Sequence, residues 1–208
     1  FLTPILMLRK TAKGKIKSSL TEELSLLSLC RKFNRFETML MYNDLFKENS
    51  NKAEFQYEML HYKIANNLVS EQDFNELIEK VNTEIQDGKN PLGDEYNKMN
   101  LIKNIKYKKA VYLAHSIPHS NKQWENIISL CDEIINNNVD AMNLIGLANY
   151  NLFKLTNNGE YLNKSIMYYI ESLSNEKVRT SNLLQIIYLM FKYYNHEYDE
   201  SIKTNIEE

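Results

Sequence analysis

Seven amide side chains stand at helical spacing along this chain: Asn97, Asn100 and Asn104, then Asn143 and Asn151, then Asn182 and Gln185. A primary amide both donates and accepts hydrogen bonds. A row of them can therefore pair with the backbone of an extended peptide, whatever side chains that peptide carries. Asn97, Asn100, Asn104 and Lys108 fall on one helix face at steps of three and four. Asn143 and Asn151 share a face with Leu147 between them, and Asn182 neighbours Gln185 with Lys192 two turns further on. These seven amides are the candidate peptide-binding set. The competing expectation is an ordinary solvated helix face, since Asn is frequent throughout the chain and outer helix faces are usually polar.

Other chemistries find less to work with. His115 and His119 have the spacing of two ligands on one helix turn, but Pro118 lies between them and Ser116 and Ser120 surround them. The segment reads as a turn, with no carboxylate or thiol at hand to complete a metal site. His61 and His196 stand alone. Cys30 and Cys131 sit on apolar helical stripes, where a free thiol is usually inert packing. Two cysteines make no disulfide framework and fit a reducing compartment, which leads to a cytoplasmic expectation. There is no G-x-S-x-G, no phosphate-binding loop and no G-x-G-x-x-G; the 5 glycines are scattered. Glu22 and Glu23 fall in a first helical turn, where capping explains them. The expectation is a protein that is not an enzyme, with no catalytic residue, metal or cofactor. Tyr168, Tyr169, Tyr188, Tyr193, Tyr194 and Tyr198 give the last third an aromatic character. That suits either a contact surface or packing between helices with the hydroxyls at the rim. Trp124 is expected in the core.

Composition narrows the partners. The net charge of −2 provides no field that would gather nucleic acid or an anionic membrane. Basic residues cluster early, at Arg9, Lys10, Lys13, Lys15 and Lys17. Such a run can touch phosphates but is more often a solvated linker, so 1–18 reads as a basic N-terminal segment or partial helix. No apolar run approaches the ~20 residues of a membrane span. The opening FLTPILMLRK lacks the basic start of a secretory signal. It also lacks an initiator Met, which suggests that further chain precedes it.

The elements that must position these residues are helices. With 5 Gly and 3 Pro in 208 residues there is little material for hairpins or long loops. Ser19-x-x-Glu22, Asn34-x-x-Glu37, Asn51-x-x-Glu54 and Ser70-x-x-Asp73 resemble capping boxes, and Asn90-Pro91 is a helix start. Asn121 and Asp140 are expected to cap the next two helices. Asp87-Gly88 reads as a stop, and Thr156-Asn157-Asn158-Gly159 as a turn. Apolar periodicity between these signals predicts helices near 19–32, 35–48, 52–67, 71–86, 91–115, 122–137, 140–155, 160–174 and 177–195, with a tenth from about 197. Paired consecutively they form about five antiparallel hairpins at intervals of roughly 30–50 residues, in the period range of helical solenoids. An irregular helical bundle is the alternative. The short turns between helices of similar length favour stacked neighbours, and hence an all-α solenoid over 19–208.

Ile145-Gly146-x-Ala148-x-Tyr150, followed by Tyr161, Ser165, Tyr169, Ser172 and Leu173, resembles a tetratricopeptide (TPR) repeat. Gly146, Ala148, Ser165 and Ser172 would let its two helices approach closely. Trp124-x-x-Ile127-Ile128-x-x-Cys131 is similar to the second helix of a preceding repeat, while 19–90 match more poorly. Within the TPR class, the co-chaperone type carries a similar W-x-x-A-I-x-x-C helix. Its basic carboxylate clamp is missing, with Tyr112, Asp140, Asn143 and Leu144 at the corresponding places. The stretches 51–74, 99–115 and 140–173 resemble in rhythm the bacterial and phage peptide receptors of the Rap, PlcR and AimR type. That resemblance implies a receptor that holds a short communication (quorum-sensing) peptide on its concave face and regulates transcription or signalling by changing shape. It also implies a possible homodimer, and contact with DNA only through a domain outside this sequence. The second expectation is an adaptor or co-chaperone-type module that binds a partner protein without a switch.

Overall fold

Apolar side chains recurring every three to four residues bury one stripe of a helix and leave the other wet, a pattern clearest over 71–86, 121–132 and 159–171. The computed structural model describes Lys32 and residues 52–86, 98–116, 120–135, 138–174 and 179–207. Among these the chain is all-helical, with no strand. The expected helices at 19–32 and 35–48 lie outside the described residues, apart from the helical Lys32, as do 1–18 and Asn97. The chain divides into two compact units, one up to Ile105 and one from Lys106.

The first unit contains α1 (Ala53–Ala65), α2 (Glu71–Gln86) and the start of α3 (Lys98–His115). The expected Ser70–Asp73 box closes α2. The Ser70 N–H and hydroxyl each donate to Asp73 Oδ2 at 2.8 Å, and the Asp73 N–H points back at Ser70 Oγ, 3.4 Å away. An ion pair from Lys63 to Asp73 ties the box to the last turn of α1. Asn67, at φ 55°, takes the left-handed conformation that releases the chain from α1. Phe55 and Leu60 on α1, and Phe74, Leu77 and Val81 on α2, are buried.

The second unit holds the rest of α3, then α4 (Asn121–Asp132), α5 (Val139–Thr156), α6 (Gly159–Glu171), a single 3-10 turn (Ser172–Ser174) and α7 (Arg179–Glu207). Ser120, not Asn121, caps α4, its hydroxyl accepting from the Gln123 N–H. Asn138, not Asp140, caps α5 by accepting from the Ala141 N–H at 3.1 Å. Short polar side chains are near-equivalent caps, so a run of them leaves the cap uncertain by a residue or two. The expected extension of α4 to 137 is not seen. Ile134 leaves the helix yet still packs in the core, 4% exposed. The expected break near 196 is also absent, and α7 runs unbroken from 179 to 207. Neither Gly nor Pro occurs there to stop it.

Two clusters form the core of this unit. Trp124, Ile127 and Cys131 of α4 meet Ile145, Ala148 and Leu152 of α5, with Ala110 and Leu113 from α3. Leu162, Ile166 and Tyr169 of α6 meet Ile186 and Leu189 of α7. The small residues do what their sizes suggest. Ser165 Oγ donates to the Gly146 carbonyl at 2.7 Å, and a Cβ at position 146 would sit 2.9 Å from the Tyr169 ring. The helices α5 and α6 therefore meet backbone to side chain.

Candidate functional site

The helices α5 and α7 are not consecutive, yet they meet through side chains at two levels and at a third through the backbone of Asn157, the C-cap of α5. Asn182 Nδ2 donates to Asn143 Oδ1 at 2.8 Å, 39 residues apart. The Tyr150 and Tyr188 hydroxyls lie 3.0 Å apart, 38 residues apart in sequence. His196 Nε2 is 3.0 Å from the Asn157 carbonyl, again 39 residues apart. A near-constant offset requires the two helices to run side by side in the same direction. The short helix α6 returns the chain between them, so the face they share is set by one hairpin length.

That face is built from polar groups of different kinds. At its start, the Asn182 amide also donates to Ser172 Oγ, whose hydroxyl donates to the Tyr169 carbonyl at 2.7 Å. Asn182 is thus 5% exposed with its donors directed inward. Asn143 is half-buried, its oxygen occupied by Asn182. In the middle, Tyr150 and Tyr188 meet edge to face with ring centroids 6.1 Å apart, and Phe153 stacks on Tyr150 at 6.4 Å. Burial, then the hydrogen bond to Tyr188 and the charge that Tyr188 would carry, push the Tyr150 phenol up to about 12. The Tyr150 phenol therefore stays neutral at ordinary pH and keeps its proton for hydrogen bonding. Beyond them, Lys154 Nζ stands 5.0 Å from the Tyr150 ring centroid and Lys192 Nζ 5.6 Å from that of Tyr188. A cation over an aromatic face contributes about 0.5–1 kcal/mol at an exposed site and holds the ammonium in place. Leu147 adds an exposed apolar contact between the amide and phenol levels.

The sequence-predicted amides are distributed unevenly. Asn143, Asn182, Asn151 and Gln185 belong to the second unit, and the first two are joined directly. Asn151 Nδ2 donates to the Leu147 carbonyl one turn back, leaving its oxygen for another partner. Gln185 is half-buried. Asn100 and Asn104 are exposed on the part of α3 that belongs to the first unit. Tyr150 and Lys154 were not among the candidates. The signal that would have found them is the hairpin offset, which aligns them with Tyr188 and Lys192.

The remaining candidates resolve locally. Cys131 is fully buried and its thiol is pushed up to about 12, first by burial and then by Asp132, so it stays protonated at neutral pH. His115 Nδ1 faces its own helix, 2.8 Å from the Val111 carbonyl, and His119 lies outside the described residues. His61 meets Tyr57 edge to face at 4.8 Å. Cys30 lies outside the described residues. Among the described residues no group of three or more His, Cys, Asp and Glu could hold a metal ion, and no helix is long and apolar enough to cross a membrane. The tyrosines divide: Tyr169 is buried, Tyr168 and Tyr193 are half-buried, and Tyr188 and Tyr194 are exposed.

No protein-family model matches this chain, and no curated protein or solved structure shows significant similarity to it.

Proposed function

We propose that this protein is a TPR-like helical solenoid that receives a short peptide on the face shared by α5 and α7, in the cytoplasm, and that the occupied state regulates a transcription or signalling response. One observation carries the reading: the offset of 38–39 residues that aligns amide with amide and phenol with phenol on two parallel helices. A repeated helical hairpin aligns its first helices in this way, and their common face is where solenoids take extended ligands. The Asn151 oxygen, the Tyr150 and Tyr188 hydroxyls and the two ammonium groups offer acceptors and donors to a peptide. Regulation requires that the peptide prefer one arrangement of the helices, because equal affinity for both would shift nothing.

Calorimetric titration with a panel of short synthetic peptides tests this. Binding is expected, weakened about tenfold or more by Asn151→Ala or Lys154→Ala; that loss corresponds to ~1.4 kcal/mol. Failure of a broad panel to bind, or binding indifferent to both substitutions, counts against the proposal.

A further inference from the structure

The two helices that share the α5–α7 face bring charge of one sign to it. From the amide level to the imidazole level, residues 143–157 and 182–196, their charged side chains besides the imidazole are Lys154 and Lys192. Each lies one turn beyond its tyrosine, and helical side chains lean back towards the N-terminus. Both ammonium groups therefore come to rest beside the phenols, 5.0 Å from the Tyr150 ring centroid and 5.6 Å from that of Tyr188. The two hydroxyls lie 3.0 Å apart, so the cations stand at one level of the face, one on each helix.

Neither cation has a carboxylate partner among the described residues. Lys63, Lys106 and Lys164 each hold one, on Asp73, Glu133 and Glu160. Lys154 and Lys192 are exposed and have aromatic rings instead, which attract an ammonium but leave its N–H donors to spare. Lys154 also suits the negative end of α5, whereas Lys192 lies within α7, far from either end. Two phenol hydroxyls that share one hydrogen bond have one further proton to give. The middle of the face thus collects positive charge and donors. A carboxylate uses all of them, with one negative charge and two oxygens that each accept more than one hydrogen bond. We infer that the ligand of this face presents a carboxylate to Lys154, Lys192 and the phenol pair. The inference rests on the reading of this face as a peptide site and names what the peptide carries there: a free C-terminus, or an Asp or Glu side chain.

Pools of short synthetic peptides, all acetylated at the N-terminus, test this against the immobilised 208-residue chain. The first pool lacks Asp and Glu and ends in a free carboxylate. The second lacks them and ends in an amide. The third is rich in Asp and Glu and ends in an amide. Retained peptides are identified by mass spectrometry and titrated singly. The first or the third pool should be retained and the second should not; the first assigns the carboxylate to the chain end, the third to a side chain. A retained peptide should bind about tenfold more weakly to Lys154→Met and to Lys192→Met, which keep an apolar stem and lose the charge. It should bind equally well to Lys164→Met on α6. Retention of the uncharged amide pool, or affinity that both methionine variants preserve, overturns the inference and leaves the peptide site standing. Retention of no pool removes the site itself, and the inference falls with it.

Discussion

Gly146 is the residue on which the α5–α6 contact turns. Its missing Cβ leaves room for the Tyr169 ring, itself only 8% exposed and unable to swing into solvent. Alanine would favour the helix by about 1 kcal/mol, while over-packing a buried ring costs about 1–3 kcal/mol. Gly146→Ala should therefore lower stability by a net ~1 kcal/mol in chemical denaturation. The loss should shrink in a Tyr169→Leu background, where the ring is gone; additivity of the two changes would refute the contact. This contact was legible through the resemblance to a TPR repeat, which implies small residues at Gly146 and Ser165 where the two helices approach closely. The role of Asn182 was not. Its amide has the same appearance whether it faces a groove or, as here, bonds inward to Asn143 and Ser172.

Elements were read more reliably in their cores than at their ends. Apolar periodicity located α1, α2 and α4 to α6 within a few residues, since burying a stripe stabilises a helix more than any cap. The end of α7 was expected at 195, with a further helix from about 197, and the helix instead runs on to 207. The chain there has no breaker, and His196 is held from outside by the Asn157 carbonyl. The α1–α2 junction shows the opposite case, a motif that reports its own chemistry. Burial alone would raise the Asp73 pKa; the Lys63 ammonium and the Ser70 N–H and hydroxyl outweigh it and hold the carboxyl below its ordinary 3.8. The folded state thus binds this proton less well than the unfolded chain. The stabilisation is fully present above about pH 4 and drains away as pH falls through the lowered value. Melting temperatures of the native chain and of Asp73→Asn should differ at neutral pH and converge by about pH 2. A gap that persists in acid would show that the carboxylate is not the source.

At the scale of the whole molecule, the strongest contacts of the second unit join consecutive helices: α4 with α5, α5 with α6, and α6 with α7. Stability is then roughly a sum over neighbours, and removing the last member should leave the earlier ones folded. Trp124, the only tryptophan, is 3% exposed in the α3–α5 cluster and reports on it directly. A chain ending before Arg179 should keep blue-shifted tryptophan emission at room temperature but melt earlier than the full chain. Emission shifted to that of solvated tryptophan would show that the unit folds only as a whole. The two seams that hold α7 also differ in kind. Against α6 it is bonded by aliphatic packing, which resists separation over its whole area. Against α5 the polar contacts at the amide, phenol and imidazole levels can each be exchanged for water at a net cost of about 1 kcal/mol. Such an arrangement has a spine and a free margin. The softest motion of α7 is therefore to turn on α6 like a page, opening a wedge whose inner walls are the two tyrosines and the two lysines.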